Sequence, residues 1–149
     1  MKKIRWILLI CLAAVLTTCS TPNRRAFEQN RLLWESQAIH HYRIHFKIGC
    51  MCPWSSLMPL AVEVQEGQIV AMVASNGADI SNYLDTFRQH ATIERQFATA
   101  DSATSHWVYK LAIQYDAKYG FPSSIIIDPY RYITDDATGY YVTDFEPLP

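Results

Sequence analysis

His41-Tyr42-Arg43-Ile44-His45-Phe46-Lys47-Ile48 alternates without a break between apolar and polar side chains. Successive residues of a strand point to opposite faces, so Tyr42, Ile44, Phe46 and Ile48 form an inward row and His41, Arg43, His45 and Lys47 an outward one. Such a strand needs a covering layer on one side only. Just upstream, residues 26–39 carry Phe27, Leu33, Trp34 and Ala38 at helical spacing, with Trp34 read as core. Downstream, Val62-Glu63-Val64-Gln65 and Gln68-Ile69-Val70-Ala71 flank Glu66-Gly67 as a tight hairpin. In that register Gln65 faces Gln68, while Val62, Val64, Ile69 and Ala71 share one face.

The rest of the chain repeats this order. Thr92 caps a helix over residues 92–100, with Glu94 in its first turn and Ile93, Phe97 and Ala100 as the inward stripe. Residues 107–115 place Trp107, Tyr109, Leu111, Ile113 and Tyr115 on one side, with Leu111 and Ile113 buried, and Lys110 and Gln114 on the other. A connection over 116–120 leads through Pro122 to a short strand at 124–127. Asp135, Asp136 and Gly139 then supply a turn before a last strand at 140–145. Between residues 75 and 90 a helix and one or two short strands compete. The expected fold is α+β: two helices packed on one face of a mainly antiparallel sheet of about six strands.

Several of these segments together resemble the DUF6174 family of small, mostly uncharacterised bacterial lipoproteins. The residues that carry the likeness are Trp34 with Tyr42-Arg43-Ile44-His45-Phe46, Cys50-Met51-Cys52, the hairpin from Val62 to Val70, Thr92-Ile93-Glu94 with Phe97, and Tyr115-Asp116-x-x-Tyr119-Gly120-Phe121-Pro122 with Ile127-Asp128. The likeness spans roughly residues 26–145. It implies an envelope α+β domain with no assigned reaction, and it transfers no catalytic or binding residue.

The N-terminus reads as an address. Lys2, Lys3 and Arg5 precede an apolar run over residues 6–16, the pattern of a secretory signal. Eleven residues make a helix of only about 16 Å, too short for a hydrocarbon core that takes about 20 residues. Leu16-Thr17-Thr18-Cys19 resembles a lipobox, which implies residues 1–18 as signal peptide, Cys19 as the acylated first residue, 19–25 as a short tether and 26–149 as one globular domain. Ser20 fits transport to an outer membrane with the domain in the periplasm. An ordinary cleavage giving a secreted or periplasmic protein is the rival.

The whole chain has 149 residues, 13 basic and 14 acidic side chains and a net charge of -1. Without the first 18 residues, 10 basic face 14 acidic ones. That balance offers no positive field for a nucleic-acid backbone. The expected partners are membrane lipid through the acylated cysteine and an envelope protein, a cell-wall component or a small ligand.

Local chemistry is sparse. Cys50 and Cys52 meet an oxidising compartment after export, and Gly49 and Pro53 permit the bend that a disulfide between them needs. Free thiols, a metal site or a redox role are the alternatives, although the spacing is C-x-C and not C-x-x-C. His40, His41 and His45 lie near these cysteines, but strand parity separates them, and exposed histidines are the plainer reading. Asp128, Asp135, Asp136 and Asp144 lack the spacing of a 12-residue calcium loop. No G-x-S-x-G elbow, phosphate loop, zinc-protease motif or dinucleotide fingerprint occurs. No catalytic, cofactor or metal residue is assigned. The expectation is an envelope lipoprotein with a noncatalytic binding or structural domain; the alternative is a small envelope enzyme or metal-binding protein using a Cys, His or Asp site.

Overall fold

A computed structural model describes residues 22–149. The signal expected over 1–18 and the acylation expected at Cys19 therefore lie outside the described residues. Six strands form one open sheet: β1 (His41–Gly49), β2 (Leu60–Gln65), β3 (Gln68–Ala74), β4 (Lys110–Tyr115), β5 (Pro122–Asp128) and β6 (Thr138–Pro147). Their order is β3-β2-β1-β6-β5-β4, and every neighbouring pair is antiparallel. Two long helices, α1 (Pro22–Ser36) and α3 (Ile93–Ser105), and one short helix, α2 (Leu84–Arg88), complete the α+β fold.

The centre of the sheet is where the sequence pattern is cleanest. Tyr42, Ile44, Phe46 and Ile48 are all buried, joined from β2 by Leu60, Val62 and Val64 and from β6 by Val142. Trp34 of α1 sets its ring edge-on against Tyr42, Phe121 and Phe145, at centroid distances of 5.8, 5.9 and 5.8 Å. Phe27 meets Phe97 of α3 edge-on at 6.1 Å, which joins the two long helices over the same core. The stripe Ile93, Phe97 and Ala100 is buried as expected, and the Thr92 hydroxyl accepts a hydrogen bond from the Arg95 amide at 3.2 Å. Buried Tyr42 ties the sheet to α3: its hydroxyl accepts from the Ile93 amide and donates to Glu94, both at 2.9 Å. Burial, with Glu94 adding to it, holds that phenol protonated.

Where the expectations fail, each departure traces to a particular pairing or backbone conformation. The first helix ends at Ser36, not at residue 39, because Ala38 takes a positive φ of 48° and is exposed. The β2–β3 turn pairs Gln65 with Gln68, but β3 carries an extra residue: Val64 opposes Ile69 while Glu63 opposes Ala71. The bulge flips parity, so Ala71 faces solvent and Met72 replaces it opposite Val62. The ambiguous stretch holds a 3-10 turn (Ser81–Tyr83) and α2, whose Phe87 is buried against Trp54. Trp107 lies before β4 and is 80% exposed, and Leu111 and Ile113 are only half-buried on an edge strand.

Gly139 is a strand residue and not a turn. It opposes Gly49 across the β1–β6 pair, and the Tyr141 ring lies over both; a Cβ at Gly139 would come within 2.7 Å of that ring. Gly120 has a different reason. Its φ of +82° and a Cβ position 2.5 Å from the Asn30 carbonyl of α1 admit no side chain.

Candidate functional site

The solvent face of β1 holds the expected outward row. It is a ladder of ion pairs drawn from three strands. His41 places Nε2 3.1 Å from Glu63 Oε1 and Nδ1 3.0 Å from the main-chain oxygen of Pro149. Arg43 donates to Glu63 Oε2 at 2.9 Å and to Glu146 Oε2 at 3.4 Å. His45 Nδ1 lies 2.8 Å from Asp144 Oδ2, an oxygen that also accepts from the Thr143 hydroxyl at 3.1 Å.

Asp144 reaches His45 because β6 bulges there. Arg43 opposes Glu146 and His45 opposes Thr143, so Asp144 and Phe145 together face Ile44. Asp144 takes a φ of 52°, which turns its carboxylate outward while Phe145 still packs against Trp34 and Tyr42. The electrostatic consequences follow the contacts. Arg43, then His41, holds the Glu63 carboxyl below its ordinary range, and His45, then Thr143, does the same for Asp144. The Pro149 oxygen, then Glu63, raises the His41 imidazole. Each carboxylate is committed to a basic side chain beside it, and the Thr143 hydroxyl donates to Asp144 instead of facing a histidine nitrogen as a nucleophile would. On an exposed face such pairs add little to stability.

Cys50 and Cys52 form a disulfide across Met51, with Cα atoms 5.3 Å apart, directly after β1. The loop turns back through hydrogen bonds from Ser55 N to Cys52 O and from Leu57 N to Trp54 O. It is fixed to the domain by Trp54, whose ring lies 5.3 Å from Tyr83 and 6.3 Å from Phe87. His41 and His45 do not join it. At about 3.3 Å per strand residue they stand about 13 Å from one another, and Gly49 lies as far again beyond His45. Asp128 ends β5, Asp135 and Asp136 lie in the β5–β6 connection, and Asp144 sits in the bulge with His45. Among the described residues, no group of three or more His, Cys, Asp or Glu side chains gathers as metal ligands.

A groove between α3 and the β4–β5 edge went unseen in the sequence. Its volume is about 400 Å³. Val108 and Ile127 line it with Ala98 and Ala103, and His90, Arg95 and His106 add polar groups. The His90 ring lies 5.0 Å from the Tyr140 ring. Burial, then the nearby Arg95, depresses its pKa, so this imidazole is neutral at pH 7. Beneath it Gln96 is buried, donating its amide to the His90 carbonyl and leaving Oε1 without a partner. The signal for this was present: Gln96 interrupts an otherwise apolar stripe directly before Phe97.

The residues behind the family likeness turn out to build the fold. Asp116 Oδ1 accepts from the Lys118 and Tyr119 amides at 2.9 and 2.8 Å, and its main chain pairs with Gly120 and Phe121, which closes the β4–β5 connection. Gly120 then admits α1, and Phe121 enters the core. No curated protein and no solved structure matches the chain. The DUF6174 model, which describes a family of unknown function, matches residues 26–147, and the chain belongs to that family.

Proposed function

We propose that this is a lipid-anchored protein of the bacterial envelope whose domain acts by binding and not by catalysis. The observation that carries the reading is the basic and apolar leader ending in Leu16-Thr17-Thr18-Cys19, only three residues before α1 begins at Pro22. Among the described residues no helix is long and apolar enough to cross a membrane. In this reading the acylated cysteine is the attachment. Several acyl chains hold far more firmly than one, each buried methylene contributing about 0.8 kcal/mol. Binding is supported by the groove beside His90, with its apolar floor, polar rim and volume within the range of ligand sites.

The test is intact-mass analysis of the full chain expressed in a bacterium and extracted from its membranes. The expected mature protein starts at Cys19 and carries acyl chains, and Cys19→Ala leaves an unacylated but folded domain. A mature terminus elsewhere without lipid would overturn the anchor and leave the secreted or periplasmic alternative.

A further inference from the structure

The two ends of the sheet are unlike. At one end lie the Gly67 hairpin, the 116–121 connection, the start of α3 and the C-terminal end of β6. At the other lie the ends of β1, β3 and β5, the starts of β2, β4 and β6, and the disulfide loop, an arrangement fixed by the register. That second end carries Met51, Trp107, Tyr130, Tyr132 and Ile133, all exposed; Trp107 is 80% and Tyr132 88% accessible.

Trp107, Arg131 and Tyr132 lie near Tyr109 on this end. The Lys110 ammonium lies 5.2 Å and the Arg131 guanidinium 6.0 Å from the Tyr109 ring centre, and Arg131 also lies 5.5 Å from the Tyr132 ring. The first turn of α1 is at the same end, because Asn23 lines a cleft of about 310 Å³ together with Trp107 and Tyr109. Asn23 is four residues after Cys19, a reach of at most about 14 Å in an extended chain. A lipid on Cys19 would therefore hold this end, and not the hairpin end, at the bilayer.

We propose that the surface formed by Trp107, Tyr109, Arg131 and Tyr132 lies in the headgroup layer of the membrane to which the chain is anchored. The inference rests on the lipid-anchor reading above. Trp and Tyr favour this layer because their rings are apolar and their N–H and O–H groups stay wet, and Lys and Arg reach past them to phosphate. The charges at this end are mixed, Lys110 and Arg131 against the exposed Asp135 and neighbouring Asp136. The attraction thus comes from aromatic burial, and zwitterionic phosphatidylcholine suffices.

The experiment uses acylated full-chain product, its N-terminal peptide checked by mass, reconstituted in phosphatidylcholine vesicles with or without acyl-chain bromination near the headgroup. The Trp107 emission is the difference between the protein and its Trp107→Phe variant, a substitution at an exposed site. The expected result is that brominated lipid removes most of the Trp107 component, leaves buried Trp34 bright, and that acrylamide reaches Trp107 less well than in Cys19→Ala protein without vesicles. Acylated protein whose Trp107 ignores brominated lipid overturns the proposal and leaves the anchor standing. If that Trp107 is nevertheless shielded from acrylamide, a second copy or another protein covers the surface, which also overturns it. An unacylated terminus brings down the anchor reading, and this inference with it.

Discussion

Strands β1 and β4 show the same alternation in sequence and have different fates. In β1 every inward residue is buried; in β4 Leu111, Ile113 and Tyr115 remain half-exposed, and Trp107, which continues the alternation, is outside the strand altogether. Alternation fixes which way a side chain points. How deeply it is buried depends on what covers it. β1 has β2 and β6 on its flanks and Trp34 and the start of α3 above it, whereas β4 has one flanking strand and the end of α3. A periodic pattern therefore reports a face, and neighbours remote in sequence decide the depth.

The sharpest way to break this comparison is to remove one inward residue from each strand. Phe46→Ala empties a wholly enclosed site and should cost about 3–5 kcal/mol in denaturant unfolding, the range for buried Phe truncation. Leu111→Ala removes a side chain that already meets water, and its cost should fall to about 1 kcal/mol, below the 2–5 of a fully packed leucine. Equal losses at the two positions would mean that the β4 edge is covered in solution by something outside the domain.

Much of the fold was legible because its signals are local. The β1 alternation, the Thr92 cap and the Glu66-Gly67 turn each sit within a few residues. The departures came from pairings between distant segments. The bulge that turns Ala71 outward is set by the register with β2, and Gly139 reads as a turn residue until Tyr141 is seen lying over it. The open-face ladder was half legible. The sequence placed His41, Arg43 and His45 outward, but the carboxylates that occupy them come from β2 and β6, and His45 and Asp144 are 99 residues apart. The groove at His90 stayed hidden because α3 and the β4–β5 edge, which enclose it, are brought together only by the fold.

The disulfide extends the comparison to the end of β1. Cys50 and Cys52 are expected to be recovered as one linked segment by nonreducing peptide mapping with thiols blocked during extraction. Closing so short a ring restrains few residues of the unfolded chain, and chain entropy gives about 1.5 kcal/mol at most. Cys50→Ser with Cys52→Ser should therefore lower stability by no more than that while the Trp54, Tyr83 and Phe87 cluster stays packed. Free thiols holding a stoichiometric metal, lost on replacing His41 or His45, would instead make the loop a metal site.

The smallest expected effect compares the two faces through their histidines. His90, under α3, has its pKa lowered by burial and then by Arg95. His41, on the open face, has its pKa raised by the Pro149 oxygen and then by Glu63. The two act on stability with opposite sign. As pH falls below the ordinary value of about 6.5, the unfolded chain takes up the proton that folded His90 resists, and stability declines until the pH passes the folded value. His41 contributes its full stabilisation below about 6.5 and loses it as pH rises through its elevated folded value. Proton NMR should therefore find His90 titrating at lower pH than His41. His90→Phe should flatten the decline in melting temperature below about pH 6.5, and His41→Gln should remove the gain in melting temperature seen as pH is lowered toward 6.5 from above. Coincident titration of the two rings would show that the groove is as wet as the open face, and would remove the physical distinction between them.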